Sequence, residues 1–454
     1  MKTVDVGSLL DEGGWGGYQK LLVFATALTI ILDGFDNQLF GAAIPALMTE
    51  WTLPSSAFAM VLTGGMVGMM LGGAVGGFLG DRLGRRVALL GSVITFGVLT
   101  ILVSFSGSVL TLGVLRFFAS LGLGGAMPNA AALSSEYVPR RHRAFAVTLT
   151  IVCVPLGGTL AGFLGGEILP RFGWRALFLV GGIVPLVVSA ILLKVLPESP
   201  RYLASRRERW PELVTLLGRL GHDVEQDAAF MDATEKAARR ASVGDLLAPT
   251  LRRDTLALCA SFFFCLLSAY LGTNWVPAML DRAHFDVGTA SYGLLAWNLG
   301  GVVCAILGAT AIMRLGSRLT MLTMAAGGVT GAVVLAAMAI GPQSAFSVLA
   351  MLALTGGFVN ATQTTMYALA AHVYPTSIRA TGVGTAVAFG RIGGVLSPYV
   401  GTWALDGGAS QYFTLIAGTM TMTFVALAAV GQHISRVATA RVAGRVATAE
   451  PAGH

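Results

Sequence analysis

The sequence predicts an all-α integral membrane protein with twelve transmembrane helices in two six-helix bundles. Three observations lead to this fold class: the composition, a set of long apolar stretches and an internal repeat. Hydrophobic residues make up 55% of the 454 residues and charged residues only 12%, with a mean hydropathy of +0.73. Soluble domains carry about 25% charged residues. A soluble fold of this length would therefore lack the charge to cover its surface.

Twelve apolar stretches are long enough to cross the hydrocarbon core of a bilayer, which takes about 20 helical residues. Charged residues or Pro and Gly separate them. They cover approximately residues 20–48, 57–80, 87–106, 109–135, 144–168, 175–195, 254–280, 289–313, 319–341, 344–372, 381–404 and 411–433.

One long polar segment follows the sixth stretch and divides the chain into halves. Its mixed charges, in "RRERWPELV" and "EKAARRAS", favour an amphipathic, partly helical surface linker over a separate functional domain. The polar start of the chain leads straight into the first stretch, so no cleavable signal peptide is expected. The predicted parts are an N-terminal tail (1–19), a first bundle (20–196), the linker (197–253), a second bundle (254–433) and a C-terminal tail (434–454).

The basic residues predict the orientation of the chain. If both termini are cytoplasmic, three of the 30 Lys and Arg residues lie outside, at Arg171, Arg175 and Arg282, and two lie within spans. The other 25 are then on the cytoplasmic side, which satisfies the positive-inside rule. The net charge of +7 therefore indicates orientation rather than a nucleic-acid partner.

The two halves share an internal repeat. The segment "GGFLGDRLGRRVALL" (76–90) follows the second stretch, and "GATAIMRLGSRLTML" (308–322) follows the eighth, 232 residues later. Likewise "EYVPRRHRA" (136–144) matches "HVYPTSIRA" (372–380), 236 residues later. The nearly equal offsets indicate a parallel duplication of six helices, which is typical of transporters that rock two halves about a central site.

The loop after the second stretch resembles the signature loop of the major facilitator superfamily. Its matching residues are Gly77, Asp81, Arg82, Gly84, Arg85 and Arg86. The segments "RFFASLGLGGA" and "PESPRYL" also resemble this superfamily, and the resemblance covers the chain except its tails. The second-half loop departs from the pattern, because Met313 stands at the position equivalent to Asp81.

Within that superfamily the chain resembles the aromatic acid:proton symporters. The segments that carry this resemblance are "DGFD" with "GAAIPAL", "SEYVP", "YPTSIRATGVG" and "GRIGGVLSP". The resemblance implies import of benzoate, hydroxybenzoate, protocatechuate or a similar acid by alternating access. It also implies a proton as the coupling ion, no other cofactor, and a monomer in the bacterial inner membrane with both termini cytoplasmic.

Three alternatives stay open: a transporter of another organic anion or metabolite, a drug exporter, and a membrane sensor of the same fold. An enzyme is not expected, because the sequence has no HExxH, no nucleotide-binding loop of the Walker type and no histidine at mid-membrane depth. Its four cysteines lack metal-type spacing and sit in apolar runs, so no metal site is expected.

Only four ionisable residues lie deep within the predicted spans: Asp33, Asp36, Arg116 and Arg391. A charge at this depth costs several kcal/mol and usually marks function. At 1.5 Å per residue, Asp33 lies about 20 Å from the inner end of its span and Arg116 about 10 Å from the outer end of its own. In a core of about 30 Å these depths coincide.

Asp33 and Asp36 are i, i+3 neighbours and project from nearly one helix face. We hypothesise that the substrate carboxylate pairs with Arg391, that one aspartate takes the coupling proton, and that Arg116 holds the other aspartate. Which aspartate takes which role is left open. Static ion pairs that only stabilise helix packing are the alternative.

The superfamily resemblance also implies a cytoplasmic gate. Its expected members are the six loop residues given above, with Glu136 and Arg143 after the fourth stretch and Arg379 as the repeat equivalent of Arg143. Polar and aromatic residues at mid-depth are expected to form the pocket wall, where an aromatic acid needs stacking surfaces and hydrogen-bond donors. The mid-depth set comprises Asn37, Gln38, Asn129, Tyr270, Asn274, Trp275, Asn298, Asn360, Gln363 and Tyr367. The expected wall residues among them are Tyr270, Trp275, Asn298, Asn360 and Gln363, and the alternative for each is a packing contact between helices or a lipid-facing position.

Glycines recur at four-residue spacing in the second stretch, from Gly64 through Gly68, Gly72 and Gly76 to Gly80. A strip of small residues on one helix face lets another helix approach closely. We interpret this strip, and the glycines of the eleventh stretch, as close-packing, sliding surfaces at the seam between the halves. Ordinary tight packing without sliding is the alternative.

Overall fold

The computed structural model describes residues 3–222, 224–225, 229–231, 243–375 and 378–434, and most of this part of the chain is helical. The "EKAARRAS" segment of the linker and residues 435–454 of the C-terminal tail lie outside it. The elements are β1 (Thr3–Asp5), α1 (Val6–Glu12), α2 (Gly17–Trp51), α3 (Ser55–Leu83), α4 (Arg85–Val103), α5 (Val109–Glu136), α6 (Arg140–Val195), α7 (Pro200–Ala204), α8 (Trp210–Arg219), β2 (Ala229–Met231), α9 (Arg252–Arg282), α10 (Val287–Leu315), α11 (Ser317–Ala337), α12 (Ala345–Val373), α13 (Arg379–Asp406) and α14 (Gly408–Ala429).

Ten helices in the described part of the chain are long and apolar enough to cross a membrane. One of them, α6, changes direction at Gly173, where φ is +73°, so that it supplies two spans. The helix α13 is also long enough to span but carries Arg379 and Arg391, and it brings the total to twelve. The predicted all-α fold is confirmed.

The helices pack as two groups with the same internal pattern. In the first group α3 packs on α5 and α2 on α6; in the second, the repeat equivalents α10 and α12 pack together, as do α9 and α13. The groups meet through α6 with α10, α3 with α13 and α2 with α9. Because twelve spans alternate in direction, both described chain ends and the linker lie at one end of the bundle. We name this the basic end, after its excess of Lys and Arg.

Two glycines that align in the repeat form the same kind of turn. Gly84 ends α3 with φ +107°, and Gly316 ends α10 with φ +85°. Residues with a Cβ rarely adopt these angles, which explains glycine at both positions. The repeat is therefore visible in the backbone as well as in the sequence.

The glycine strip of α3 faces α5 of its own half. A Cβ on Gly72 would lie 2.0 Å from the Leu121 carbonyl oxygen, and one on Gly76 would lie 2.3 Å from the Gly125 Cα. Gly390, Gly393 and Gly394 of α13 likewise face α9, where a Cβ on Gly393 would lie 2.3 Å from the Phe263 carbonyl oxygen. The interpretation of these strips as seams between the halves is wrong, because each strip brings together two helices of one half.

We expect Gly72→Ala to lower the thermal stability of the purified protein, while Gly64→Ala leaves it unchanged or raises it. A methyl at Gly72 forces α3 and α5 apart, at a cost of about 1–3 kcal/mol for overpacking. A Cβ at Gly64 meets no atom within 4 Å, so this matched change gains about 0.5–1 kcal/mol of helix propensity. Unfolding midpoints in detergent measure both effects, and equal midpoints would contradict the close approach at Gly72.

The N-terminal tail and the linker fold together at the basic end. Strand β1 pairs in parallel with β2, and a small apolar cluster joins α1 to the linker through Val6, Leu10, Leu213, Leu217 and Phe230. The tail and the linker, predicted as separate segments, are therefore joined in the structure.

Candidate functional site

A cavity of about 120 Å³ lies between the two halves near mid-membrane depth. Helices α2, α9, α10, α12 and α13 supply its polar walls, and Met69, Met127 and Leu266 supply apolar surface. The larger polar residues on its walls are Asp33, Asn37, Gln38, Tyr270, Asn298, Asn360, Gln363, Tyr367 and Arg391.

One acid and one base face this cavity from opposite halves. Asp33, on α2, is 6% exposed, and its Oδ1 atom accepts no hydrogen bond from any described residue. Arg391, on α13, lines the same cavity and forms no salt bridge with a carboxylate among the described residues. Both groups are therefore available to bind a proton or an ion.

Asp36 has a different environment although it is only three residues away. Arg116 donates to Asp36 Oδ2 at 2.7 Å and to the Asp36 carbonyl oxygen at 2.6 Å, and Thr100 donates to Asp36 Oδ1 at 2.6 Å. All three side chains are buried. The structure thus places Arg116 against Asp36 and leaves Asp33 in the cavity. The Thr100 contact was missed, because a lone threonine in an apolar helix gives little signal.

Four of the five expected pocket-wall residues line the cavity: Tyr270, Asn298, Asn360 and Gln363. Trp275 does not, and that expectation is corrected. It is fully buried and packs over Gly401 of α13. The indole of Trp275 therefore faces α13 and not the cavity. Asn37, Gln38 and Tyr367 also line the cavity. They belong to the mid-depth polar set but not to the five residues expected to form the wall.

Hydrogen bonds join the halves from mid-membrane to the end opposite the basic end. Asn298 Nδ2 donates to Gln38 Oε1 at 2.8 Å near the middle. Further out, Tyr292 donates to Glu167 Oε1 at 2.6 Å and Arg282 donates to Ser55 Oγ at 3.1 Å. These bonds close that end of the cavity.

The expected gate residues of the first half lie together at the basic end. Asp81 pairs with Arg85 at 2.5 Å, and Arg85 lies 3.9 Å from Glu136. Arg143 pairs with Asp11 of the N-terminal segment. The side chain of Asp81 is 67% exposed. This network therefore binds parts of the first half to one another.

The linker completes the same network. The backbone N–H of Arg86 donates to Glu198 Oε1 at 2.9 Å, so this carboxylate caps the start of α4. Tyr202 donates to the Arg82 carbonyl oxygen at 3.1 Å. Glu198 and Tyr202 belong to the "PESPRYL" segment, which resembles the superfamily.

The remaining gate residues stay apart from this network. Arg379 donates to the Tyr374 carbonyl oxygen at 3.3 Å within the second half, and a Cβ on Gly77 would meet no atom within 4 Å. Among the described residues, no hydrogen bond joins these gate residues to the opposite half. Hydrogen bonds between the halves are thus found at the far end of the cavity but not at these gate residues.

Comparison with known proteins identifies the family. A family model described as Major Facilitator Superfamily matches residues 26–398. The chain belongs to this superfamily. As a Major Facilitator Superfamily member it is a membrane transporter and not an enzyme, and the predicted family and fold class are confirmed.

Two relatives match nearly the full length of this Major Facilitator Superfamily chain. A gallate transporter of Pseudomonas putida is 31% identical over 91% of this chain and 92% of its own length. The 4-hydroxybenzoate transporter PcaK of the same species is 32% identical over 89% of this chain and 90% of its own length. The partially occluded, inward-open xylose transporter XylE from E. coli has the same fold, with a TM-score of 0.71 at 16% identity over 92% of this chain and 99% of its own.

Proposed function

We propose that the protein imports a small aromatic carboxylate together with a proton across the bacterial inner membrane by alternating access. The observation that carries this proposal is the pair of Asp33 and Arg391, one acid and one base that face a single cavity from opposite halves. The names of the relatives, transporters of gallate and 4-hydroxybenzoate, support the substrate class.

The net charge of the cavity explains why a proton accompanies the substrate. When Asp33 is ionised, the empty cavity is neutral, because Asp33⁻ balances Arg391⁺. A carboxylate that binds Arg391 without a proton leaves one net negative charge in a low-dielectric site, which is expensive to enclose. Protonation of Asp33 restores neutrality. The empty cavity can therefore close, and so can the cavity that holds both the substrate carboxylate and the proton. A cavity that holds the carboxylate without the proton resists closure.

Asp36 does not enter this balance, because Arg116 neutralises it inside the first half. The proposed proton carrier is therefore Asp33, and Arg116 holds Asp36 in place. This division of roles follows from the two environments, since the spacing of the aspartates alone left it open.

The walls suit an aromatic ring. Tyr270 and Tyr367 offer ring faces, and Met69, Met127 and Leu266 offer apolar surface. Arg391 supplies a planar fork that can hold a carboxylate by two hydrogen bonds. A cationic drug would meet the Arg391 charge, and a neutral one would leave it unpaired, so the geometry favours an organic anion over the substrates of a drug exporter.

Alternating access would use the two ends of the cavity in turn. We infer that the cavity opens towards the basic end, because the described hydrogen bonds Tyr292–Glu167 and Arg282–Ser55 join the halves at the other end. We assign the basic end to the cytoplasm from the distribution of Lys and Arg. Opening the other end requires breaking the Tyr292–Glu167 and Arg282–Ser55 hydrogen bonds. A sensor of the same fold would bind ligand without accumulating it.

Proton coupling is tested by Asp33→Asn in proteoliposomes. We expect this variant to lose accumulation of labelled 4-hydroxybenzoate driven by an acidic exterior, while exchange of internal for external 4-hydroxybenzoate continues. A neutral side chain lets the loaded cavity close without a proton, but leaves Arg391 unpaired when the cavity is empty. Net flux therefore falls and exchange persists.

Glu50→Gln is the matched control for this experiment. Glu50 pairs with Arg175 at 2.5 Å away from the cavity, so its loss should leave both accumulation and exchange intact. Gradient-driven accumulation by Asp33→Asn at the wild-type level would exclude Asp33 as the proton carrier. Binding without accumulation by the wild-type protein would favour the sensor.

A further inference from the structure

Two amide side chains in the cavity have hydrogen-bonding capacity that the protein leaves unused. Asn298, on α10, is 1% exposed and donates from Nδ2 to the Leu294 carbonyl oxygen at 2.9 Å and to Gln38 Oε1 at 2.8 Å. The bond to a backbone carbonyl fixes Nδ2 as the donor, so the other atom is the oxygen. That oxygen, Oδ1, accepts no hydrogen bond from any described residue.

Gln38 offers the complementary group. Its Oε1 accepts from Asn298, while its Nε2 donates to no described residue. The Gln38 side chain packs over Gly158, where a Cβ would lie 2.3 Å from Nε2. Since Gln38 also lines the cavity, the pair presents one free donor and one free acceptor side by side.

We propose that the Gln38–Asn298 amide pair recognises a hydroxyl group on the ring of the substrate and makes the transporter selective for hydroxylated aromatic acids over unsubstituted benzoate. This inference rests on the proposed function. A phenolic hydroxyl accepts one hydrogen bond and donates one. It can therefore accept from Gln38 Nε2 and donate to Asn298 Oδ1, which satisfies both amides.

The position of the pair suits this role. Gln38 lies five residues beyond Asp33 on α2, which is about 7.5 Å farther from the basic end. A carboxylate held at Arg391, in the same cavity as Asp33, would direct its ring towards the closed end, where the amide pair lies. Benzoate in this pose leaves both amide groups unpaired, and a buried unpaired polar group weakens binding.

The test measures dissociation constants for benzoate, 3-hydroxybenzoate, 4-hydroxybenzoate and 4-methoxybenzoate with the full-length protein in detergent, by competition with a labelled hydroxybenzoate. We expect wild-type protein to bind one hydroxybenzoate at least about tenfold more tightly than benzoate. Asn298→Leu removes the acceptor. In this variant the ratio of the benzoate dissociation constant to the hydroxybenzoate dissociation constant should fall to about one, while the benzoate dissociation constant itself should change less than about threefold. The methoxy compound cannot donate to Asn298 and should gain no preference in either protein.

Asn274→Leu is the matched control, because Asn274 is also a buried asparagine but lies outside this cavity. It should keep the wild-type ratio. Gln38→Leu removes the donor and should also lower the preference for hydroxybenzoate over benzoate. This second variant allows the inference to be tested even if Asn298→Leu fails to fold.

The inference is overturned if wild-type protein binds benzoate and hydroxybenzoates equally, or if both leucine variants at the amide pair keep the preference. It is also overturned if they weaken all four ligands by the same factor, as a purely structural role would. Failure of the wild-type protein to bind any of the four acids would instead overturn the proposed function, and the inference with it.

Discussion

Arg391→Gln is expected to weaken the binding of aromatic carboxylates by about 30- to 5,000-fold. Removing one partner of a buried, hydrogen-bonded charge pair costs about 2–5 kcal/mol, and each 1.36 kcal/mol is a factor of ten. Arg391 is the only basic residue among the described residues that line the cavity. The substrate anion would therefore lose its principal counter-charge.

Arg391→Lys separates the contribution of charge from that of shape. Lysine keeps the positive charge but lacks the planar fork that binds a carboxylate by two hydrogen bonds. We expect its affinity for benzoate to lie between those of the wild-type protein and Arg391→Gln.

Benzamide serves as the matched control ligand, because it has the size of benzoate but no charge. Its weaker binding should change little across the three proteins, as measured by displacement of labelled substrate. If Arg391→Gln binds benzoate as tightly as the wild-type protein does, the anion site lies elsewhere in the chain.

Much of the fold could be predicted from the sequence because membrane spans are dictated by solvent. A helix that crosses lipid must be long and apolar, and residues such as Arg85 and Arg252 stand where helices begin. Contacts between helices could not be predicted in this way. The spacing of Gly72 and Gly76 indicated a close approach but did not identify α5 as the partner.

The candidate site was partly predictable for a related reason. Charges in lipid are costly and usually functional, so ionisable residues deep within predicted spans are candidates for the site. These residues are Asp33, Asp36, Arg116 and Arg391. Depth along a helix does not specify direction around it. It therefore could not show that Asp36 turns towards Arg116 and Thr100 while Asp33 faces Arg391 across the cavity.

The direction in which a side chain points around its helix also explains why the expected pocket wall included Trp275 and did not include Gln38. Trp275 lies at a suitable depth but on the wrong side of α9, whereas Gln38 lies on the cavity side of α2. Uncharged polar residues are common in transmembrane helices as packing contacts. Their type alone does not separate a wall residue such as Gln38 from a packing residue such as Asn129, which donates to the Gly76 carbonyl oxygen.

Arg116→Leu is expected to destabilise the protein by about 3–5 kcal/mol, because it leaves the Asp36 carboxylate buried without its counter-charge. Asp36→Leu alone should have a comparable effect, since it leaves the Arg116 guanidinium unpaired. The double variant replaces the whole ion pair with apolar groups of similar size, which in buried pairs is often neutral or stabilising. We expect it to recover most of the lost stability, as measured by unfolding midpoints in detergent.

The double variant also decides between a static and a transport role for this pair. The Asp33–Arg391 arrangement lies in the cavity and does not use Arg116. The double variant should therefore still bind 4-hydroxybenzoate with an affinity within about tenfold of wild type, because the lost charges cancel each other. A stable double variant that binds substrate but cannot accumulate it would contradict the static role. It would make the Asp36–Arg116 pair part of the proton path rather than a support for α2.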